Sequence, residues 1–464
     1  MHRARATFRE YLVATIANIS AVAAGVSVGW SSPTIPRLAD STIADNPLGY
    51  AVVETEQSWI ISVLAIGGVC GPLVAGLVAD RKGRKMTLFF SSVIHISGWI
   101  ILLIAESVPV MATARFVLGV GNGCILTALM IYTGEIASDK HRGILGSFIQ
   151  IGIMIGVLYA YCIGPYVRYY PFQWICCAVP MLFVILLFYI PESPYYLVSR
   201  GFYQQATESL MYLRDGTSEE VQEDLQIIKS FIHREEELRG TSSFKNLFTQ
   251  RANLKALTIS LTLLSLQKWT GIDCILSNSE LIFSKANISV APDVSTIIVG
   301  AMQVIFCCIT LLFIDRVGRK PMLMCSALGL TVCLVLLGAY FSMEEANVPT
   351  GHIRWIPLTG MVGFIAIFSI GFGPVPCAIA TEIFAHDVKA LGSTINVSAS
   401  LVVDFLALRF FLLISESCGL GWAFWIFGIF CVVSFVFTLL FVVETKGLSL
   451  EEIQRRLGKT EHKS

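Results

Sequence analysis

Charge is scarce in this chain. Aspartate, glutamate, lysine and arginine make up 14% of its 464 residues, against about 25% in an ordinary soluble domain. The signs cancel, at 33 basic and 33 acidic residues, so no basic surplus implies a nucleic-acid partner. Among the 13 cysteines no paired spacing suggests a zinc site or a disulfide framework. Most lie in apolar runs, as Cys176, Cys177, Cys307, Cys308, Cys325 and Cys333 do. There a thiol is a small buried hydrophobe. No nucleophile–base pair or metal-ligand cluster stands in those runs, so an enzyme is not expected and no cofactor is implied. The stretch Arg115 to Gly123 is glycine-rich. No strand precedes it and no Gly-Lys-Ser/Thr follows, so it is not a phosphate loop. The N-terminus, with Arg3, Arg5 and Arg9, lacks a small-residue cleavage site and reads as an uncleaved cytosolic end.

Apolar residues are abundant instead, at 55% of the chain, with a mean hydropathy of +0.70. A membrane span takes about 20 apolar residues. Twelve candidate runs can be counted. The sequence therefore predicts an all-α membrane protein of twelve transmembrane helices, with the lipid bilayer as its surroundings. Residues 1–10 form the N-terminus and 11–190 a first six-helix half. Residues 191–251 are a charged linker, 252–443 a second six-helix half, and 444–464 a polar tail. In the linker Val221, Leu225, Ile228, Phe231 and Ile232 recur at helical spacing, which predicts short amphipathic cytosolic helices.

The halves echo each other. Asp80-Arg81-Lys82-Gly83-Arg84-Lys85 returns as Asp315-Arg316-Val317-Gly318-Arg319-Lys320. Glu135 with Arg142-Gly143 is answered by Glu382, Lys389 and Gly392. Pro191-Glu192-Ser193 is answered by Glu444-Thr445-Lys446. The offsets are 235, 247 and 252 residues. Matched motifs in one order at nearly one offset mark two copies of one unit, a pattern found in transporters. The loop with Asp40, Asp45 and Glu54 belongs outside, and the basic hexapeptides belong inside. Both termini are then cytosolic.

Polar residues inside the runs are few. His95 reads as an interhelical histidine whose nitrogens are satisfied, with a proton carrier as the alternative. Gln150 sits mid-run in span 5. Gln267 to Asp273 lie in span 7, and Gln303 in span 8. Gly371-Phe372-Gly373-Pro374-Val375-Pro376 in span 10 cannot be regular helix. Such a break is tolerated only where it lines a cavity or is buried in protein. Asn396, Ser400, Asp404 and Arg409 lie in span 11. Asn287-Ile288-Ser289 is a sequon in a short outer loop, where little glycosylation is expected.

Taken in order, these motifs resemble the sugar porter family of the major facilitator superfamily. They are Asp80–Lys85 and its echo, Arg115 with Gly119, Glu135 with Arg142-Gly143, Gln150, Pro191-Glu192-Ser193-Pro194, Gln267 with Gly271-Ile272, Gly371–Pro376, Glu382, and Glu444-Thr445-Lys446-Gly447. The entry from Tyr11 to Pro33 looks most like the insect facilitated trehalose transporter-like branch. The resemblance implies two six-helix halves, a central solute site and alternating access by rocking of the halves. It implies a multi-pass protein of the cell membrane, a small-molecule partner that is a sugar such as trehalose or a hexose, and no required oligomer.

Closing one side of such a carrier needs bonds that form in one state and break in the other. Arg81, Arg84, Glu135 and Arg142 can supply them in the first half, and Arg316, Arg319, Glu382 and Lys389 in the second. Arg115, expensive near a span end unless paired, joins them as a gating residue. The alternative is that these charges only orient the chain, which accounts for the Arg and Lys but not for Glu135 and Glu382. The resemblance implies substrate positions at Gln150, Gln267, Lys268, Asp273, Gln303, Ser369, Cys377, Ser400 and Asp404. Here the family pattern is altered. Lys268 replaces a glutamine, Asp273 an asparagine, Ser277-Asn278 a tyrosine pair, and Gln303 an asparagine. Ser369 replaces a glutamate, Cys377 a tryptophan, and Ser400, Leu401 and Asp404 stand for Asn, Trp and Asn. The wall has lost amides and an aromatic platform and gained charge. Lys268 is expected to pair with Asp273, across an unwound Gly271, or with Asp404. Where proton-coupled members carry an aspartate after the glycine-aromatic pair, this chain has Ser31, so transport is expected to be facilitative; the alternative is proton coupling with Asp273 or Asp404 as the substitute carrier. The alternative function is a solute sensor that binds on a transporter scaffold without turnover. A channel fits less well, because each half keeps gating charges.

Overall fold

The computed structural model describes residues 2–40, 45–138, 141–214, 218–238, 243–286, 288–313, 318–384, 388–446, 452–453 and 455–456. Arg316 and Asn287 lie outside the described residues, as do the side chains of Arg142 and Lys389. Among the described residues the chain is helix and turn, with no strand. It has the twelve-helix major facilitator fold. Eleven helical segments among the described residues are long and apolar enough to cross a membrane. The remaining span, the seventh, is broken. Helix Arg251–Trp269 ends one turn before a second helix, Ile272–Ser277. Gly271 between them has φ 85°, a left-handed conformation that glycine adopts without penalty. A Cβ there would also lie 2.3 Å from the Phe427 ring.

The chain forms two compact units. The first comprises 1–28, 66–160 and 167–241; the second comprises 29–65, 161–166 and 242–464. In the first unit, glycines let helices touch. A Cβ on Gly25 would lie 2.0 Å from the Ile153 carbonyl oxygen, and one on Gly71 would lie 2.5 Å from the Gly123 Cα. This is the small-residue packing that replaces the hydrophobic drive inside lipid. The first part of the linker belongs to this unit. Helices Pro194–Ser199, Tyr203–Arg214 and Ser218–Leu238 share an apolar cluster of Tyr196, Leu197, Ala206, Leu210, Val221 and Ile228. Leu225 and Ile232 pack against it. Phe231, on the predicted stripe, is instead exposed, with its ring edge against Tyr195.

In the second unit span 10 is also broken. Helix Ile356–Ile370 stops, four residues turn, and helix Val375–Glu382 resumes with Pro376 in its first turn, where its missing N–H costs nothing. The freed backbone groups find partners. Gly373 N–H donates to the Phe368 carbonyl at 2.7 Å, and Phe372 N–H donates to Ser326 Oγ at 3.2 Å.

Candidate functional site

The Gly271 turn and the span 10 break meet through one side chain. Gln267 Nε2 donates to the Phe372 carbonyl at 2.6 Å and to the Gly373 carbonyl at 2.8 Å. Its amide nitrogen is thus spent on carbonyls that the break releases. One residue on, Lys268 Nζ donates to Asp273 Oδ2 at 2.7 Å and lies 3.7 Å from Asp404 Oδ2. Residues five apart do not face each other on a regular helix; the left-handed Gly271 brings them together. Asp404 reaches in from helix Lys389–Ser417, which packs along span 7. It is 8% exposed, and among the described residues its Oδ1, unlike its Oδ2, has no hydrogen-bond partner within normal distance. Cys377, on the resumed half of span 10, is near Lys268 and is exposed.

The other candidate positions are more dispersed. Ser400, one turn before Asp404, turns its hydroxyl back to the Val397 carbonyl at 2.8 Å. Gln303 is buried, and among the described residues its Oε1 has no hydrogen-bond partner. Ser369 is half-buried, and its carbonyl accepts from Thr310 Oγ1 at 2.9 Å. Gln150 lies in the first unit, exposed midway along helix Arg142–Ile163. The structure therefore gathers Lys268, Asp273, Asp404 and Cys377 into one cluster.

At the hexapeptide end each unit holds the same charge lattice. In the first, Arg84 Nε and Nη2 grip Glu135, with contacts of 2.8 to 3.1 Å. Ser193 Oγ donates to the same carboxylate. Glu192 accepts from the backbone N–H groups of Arg84 at 3.0 Å and Lys85 at 3.1 Å, and Lys85 Nζ donates to the Ile190 carbonyl at 2.8 Å. In the second, Arg319 Nη2 donates to Glu382 at 3.2 Å and Thr445 Oγ1 donates to Glu382 at 2.5 Å. Glu444 accepts from the N–H groups of Arg319 at 2.9 Å and Lys320 at 3.1 Å. Lys320 Nζ donates to the Leu439 carbonyl at 2.9 Å. Arginine forks on carboxylates and carboxylates on helix N-termini are the strong forms of these bonds.

The two cap carboxylates titrate differently. Burial pushes Glu192 above the usual carboxylate range, despite its N–H donors. At Glu444 burial also pushes upward, but the N–H donors of Lys446, Arg319, Lys320 and Thr445 outweigh it, and the carboxyl falls below the usual range. The sequence motifs held Glu192, Ser193, Glu444 and Thr445, yet the latch expectation passed over them. The signal was available, since they recur at the same offset as their partners. Arg81 is exposed, and among the described residues its side chain meets no carboxylate. The turn after the hexapeptide's glycine aims Arg84, not Arg81, at Glu135.

Two buried polar residues in the first unit behave unlike each other. Arg115 is 1% exposed and donates to the Ser27 carbonyl. His95 is fully buried, and among the described residues neither ring nitrogen meets a hydrogen-bond partner, contrary to the satisfied histidine expected. Its ring lies beside Trp99, and its Cα and Cβ stand where a Cβ on Gly121 would come within 3.3 Å.

The second unit also holds a clasp at the end opposite its hexapeptide. Arg409 Nη1 donates to the Thr55 carbonyl at 2.6 Å, with its guanidinium 4.7 Å from the Trp59 ring centre. Ser58 Oγ donates to the Arg409 carbonyl at 3.1 Å. Tyr161 OH donates to the Leu276 carbonyl at 2.5 Å, and Ser32 Oγ accepts from Glu280 N–H at 3.0 Å. Sequence reading noted Arg409 without giving it a role. Nothing local in the chain ties residue 55 to residue 409.

Comparison with known proteins agrees with this architecture. The family described as "Sugar (and other) transporter" matches residues 13–457. The facilitated trehalose transporter Tret1 of Culex quinquefasciatus is 31% identical over 455 residues, covering 98% of this chain and 87% of that protein. The Tret1 of Anopheles gambiae is 30% identical over 97% of this chain, which spans only 56% of that longer protein. Among solved structures, the inward-open xylose transporter XylE from E. coli superposes with a TM-score of 0.79 at 22% identity, over 96% of this chain and 99% of that one. XylE bound to 6-bromo-6-deoxy-D-glucose gives 0.76 at 23% identity, over 97% and 99%.

Proposed function

The chain belongs to the sugar (and other) transporter family, and from that premise we propose that it is a facilitative carrier of a small polyhydroxylated solute. It works by alternating access in the cell membrane, with both termini cytosolic. Trehalose and hexoses are the first solutes to test, since the relatives are named for trehalose.

The observation that carries the reading is the charge lattice built twice. Arg84, Glu135, Glu192 and Ser193 in one unit, and Arg319, Glu382, Glu444 and Thr445 in the other, are half-buried charge pairs with matched partners. A lattice that served only to orient the chain would need its arginines and lysines but not four carboxylates. Charge pairs at a partly dry surface suit bonds that break and re-form as a carrier switches. Coupling energies of about 1–3 kcal/mol are enough to shift such an equilibrium substantially. Ser31 supports facilitated flux, because a serine hydroxyl holds no exchangeable proton near neutral pH.

Uptake by vesicles carrying the purified protein, across trehalose, glucose and a panel of charged polyols, tests this. Saturable uptake that stops at equal concentrations supports a facilitative carrier. Concentrative uptake driven by an imposed pH gradient would contradict the facilitative part. Binding of a solute without flux would favour the sensor reading.

A further inference from the structure

At the end opposite its hexapeptide, the second unit closes around one carboxyl. Helix Ser279–Lys285 follows the broken seventh span. It packs on helix Ser31–Ala39, which continues from span 1, and on helix Pro292–Phe313. Ser32 Oγ accepts from Glu280 N–H at 3.0 Å, so Glu280 sits at this seam. The residue is half-buried, but its Oε2 is shut off from solvent, and among the described residues that oxygen has no hydrogen-bond partner. A carboxylate oxygen sealed from water without a donor is costly, and a proton on the carboxyl removes the charge that makes it so.

Each element packed against Glu280 brings its own charge to the balance. Arg37, from helix Ser31–Ala39, is the facing cation. It also donates to the Gly164 carbonyl and lies 3.6 Å from Asp45 Oδ2, so its charge is shared. Asp293, at the start of helix Pro292–Phe313, faces Glu280 with a like charge and lies beside the Tyr166 hydroxyl. On the half-helix before, Asp273 is held by Lys268. On the same helix, Lys285 lies 4.0 Å from Glu54. Tyr161 and Tyr340 bring hydroxyls only, donated to the carbonyls of Leu276 and Ala286 at 2.5 Å each. Burial carries the Glu280 carboxyl up to about 7, against the pull of Arg37 and with the push of Asp293.

We propose that Glu280 is a proton-dependent pin on this seam: the seam is closed with Glu280 protonated and parts as the proton leaves. This rests on the carrier reading above, in which parting helix Ser31–Ala39 from helix Ser279–Lys285 opens the solute path to the outside. Once the seam parts, the carboxyl is hydrated and titrates near the ordinary value of about 4.3. The proton therefore binds the closed seam more tightly, and acid in turn favours closure. The stabilisation of the closed seam is fully present below the open-state value and is lost as pH rises through about 7. From pH 6 to pH 8 the closing equilibrium should weaken about tenfold. The proton arrives from and returns to one side of the membrane, so the pin regulates a facilitative carrier without coupling a proton to its flux.

Hydrogen–deuterium exchange of the full chain in nanodiscs, corrected for the intrinsic pH dependence of amide exchange, reads the seam without any solute. Amides of residues 31–39 and 279–285 should be about tenfold better protected at pH 6 than at pH 8. Those of helix Val108–Ile136, in the first unit, should not change. Glu280→Gln, uncharged throughout, should keep the seam equally protected at both pH values. Asp293→Asn removes the like charge and should move the midpoint to lower pH. Protection that ignores pH in the parent would overturn the proposal, and so would the parent's pH dependence persisting in Glu280→Gln. A change shared by helix Val108–Ile136 would mark a general loss of stability and overturn it too. If Glu280→Gln does not fold, the midpoint in Asp293→Asn decides alone, and an unmoved midpoint overturns the pin. Protection that follows pH as stated, with no flux of any solute, would sink the carrier reading and leave the pin standing. Saturable flux with protection that ignores pH would do the reverse.

Discussion

Lys268 and Asp273 are five residues apart in one span, yet Nζ and Oδ2 are 2.7 Å from each other. The left-handed Gly271 between them makes the pair possible. Removing the cation should therefore cost more than a hydrogen bond. Lys268→Gln leaves two carboxylates without their shared partner, and breaking a buried pair this way costs about 3–5 kcal/mol. Expression and thermal stability in detergent should both fall. The triple variant Lys268→Gln, Asp273→Asn, Asp404→Asn should recover expression and shift selectivity toward neutral sugars. A single variant as stable as the parent would show that the pair is dispensable.

Glu135→Gln should weaken the lattice of the first unit, because the Arg84 fork loses its charged acceptor. Glu382→Gln should do the same to Arg319 in the second. If these are latches, each variant biases the carrier toward opening at the hexapeptide end. Cysteine labelling from that side then rises, and flux falls or becomes asymmetric. Unchanged labelling and unchanged flux in both variants would leave these charges with an orienting role only.

The caps of the two copies differ in a way that thermal unfolding can read. A Cβ on Gly83 would lie 2.3 Å from Glu192 Oε2, and Gly83 has φ 99°. A Cβ on Gly318 would lie 2.6 Å from Glu444 Oε2, but its φ is −64°. Gly83→Ala thus carries a clash plus backbone strain of order 1–3 kcal/mol, and Gly318→Ala carries the clash alone. The first should lower the melting temperature more than the second. Equal shifts would mean that the left-handed turn costs alanine nothing there.

The same caps give opposite pH behaviour. The Glu444 carboxyl lies below its usual range when folded, so its contribution is present above the unfolded pKa and is lost as pH falls through the folded one. Glu192 lies above its usual range, so its contribution is present below the unfolded pKa and is lost as pH rises through the folded one. Acidification from neutral pH should therefore loosen the second cap and relieve the first. Glu444→Gln should blunt the acid loss of stability, and Glu192→Gln should not. Identical acid profiles for the two variants would refute this assignment.

The clasp at the opposite end offers a separate handle. Arg409→Ala removes the bond to the Thr55 carbonyl and the stacking on Trp59, the latter contributing roughly 0.5–2 kcal/mol. Tyr161→Phe removes the bond to Leu276. Either change should raise labelling of cysteines from that end. Labelling that stays at parent levels in the double variant would remove the clasp from the gating scheme.

Much of this architecture was readable from the chain. The repeated hexapeptide, Glu135 with Glu382, and Glu192 with Glu444 announced two copies, because each pair keeps residue type and order. The span 10 break was readable because proline and glycine have fixed backbone consequences. The site was readable in part. Lys268 had to find a carboxylate, but the choice between Asp273 and Asp404 depended on the turn at Gly271, and the ammonium serves both. Gln267 pointed to a solute on family grounds, whereas its nitrogen is held by the Phe372 and Gly373 carbonyls. Only the geometry of the break determines where those carbonyls point. Arg409 and Thr55 carry no shared local signal, so their bond belongs to tertiary packing alone.

Counterflow is the most direct test of a carrier. Vesicles holding the protein are loaded with unlabelled solute and diluted into tracer, with trehalose and glucose compared in turn. An alternating-access carrier must show transient tracer accumulation above equilibrium, driven only by solute on the opposite side. That overshoot should appear at equal pH on both sides, for trehalose or for glucose. Tracer that only equilibrates would indicate a channel, and tracer that binds without entering would indicate a sensor; either result contradicts the account.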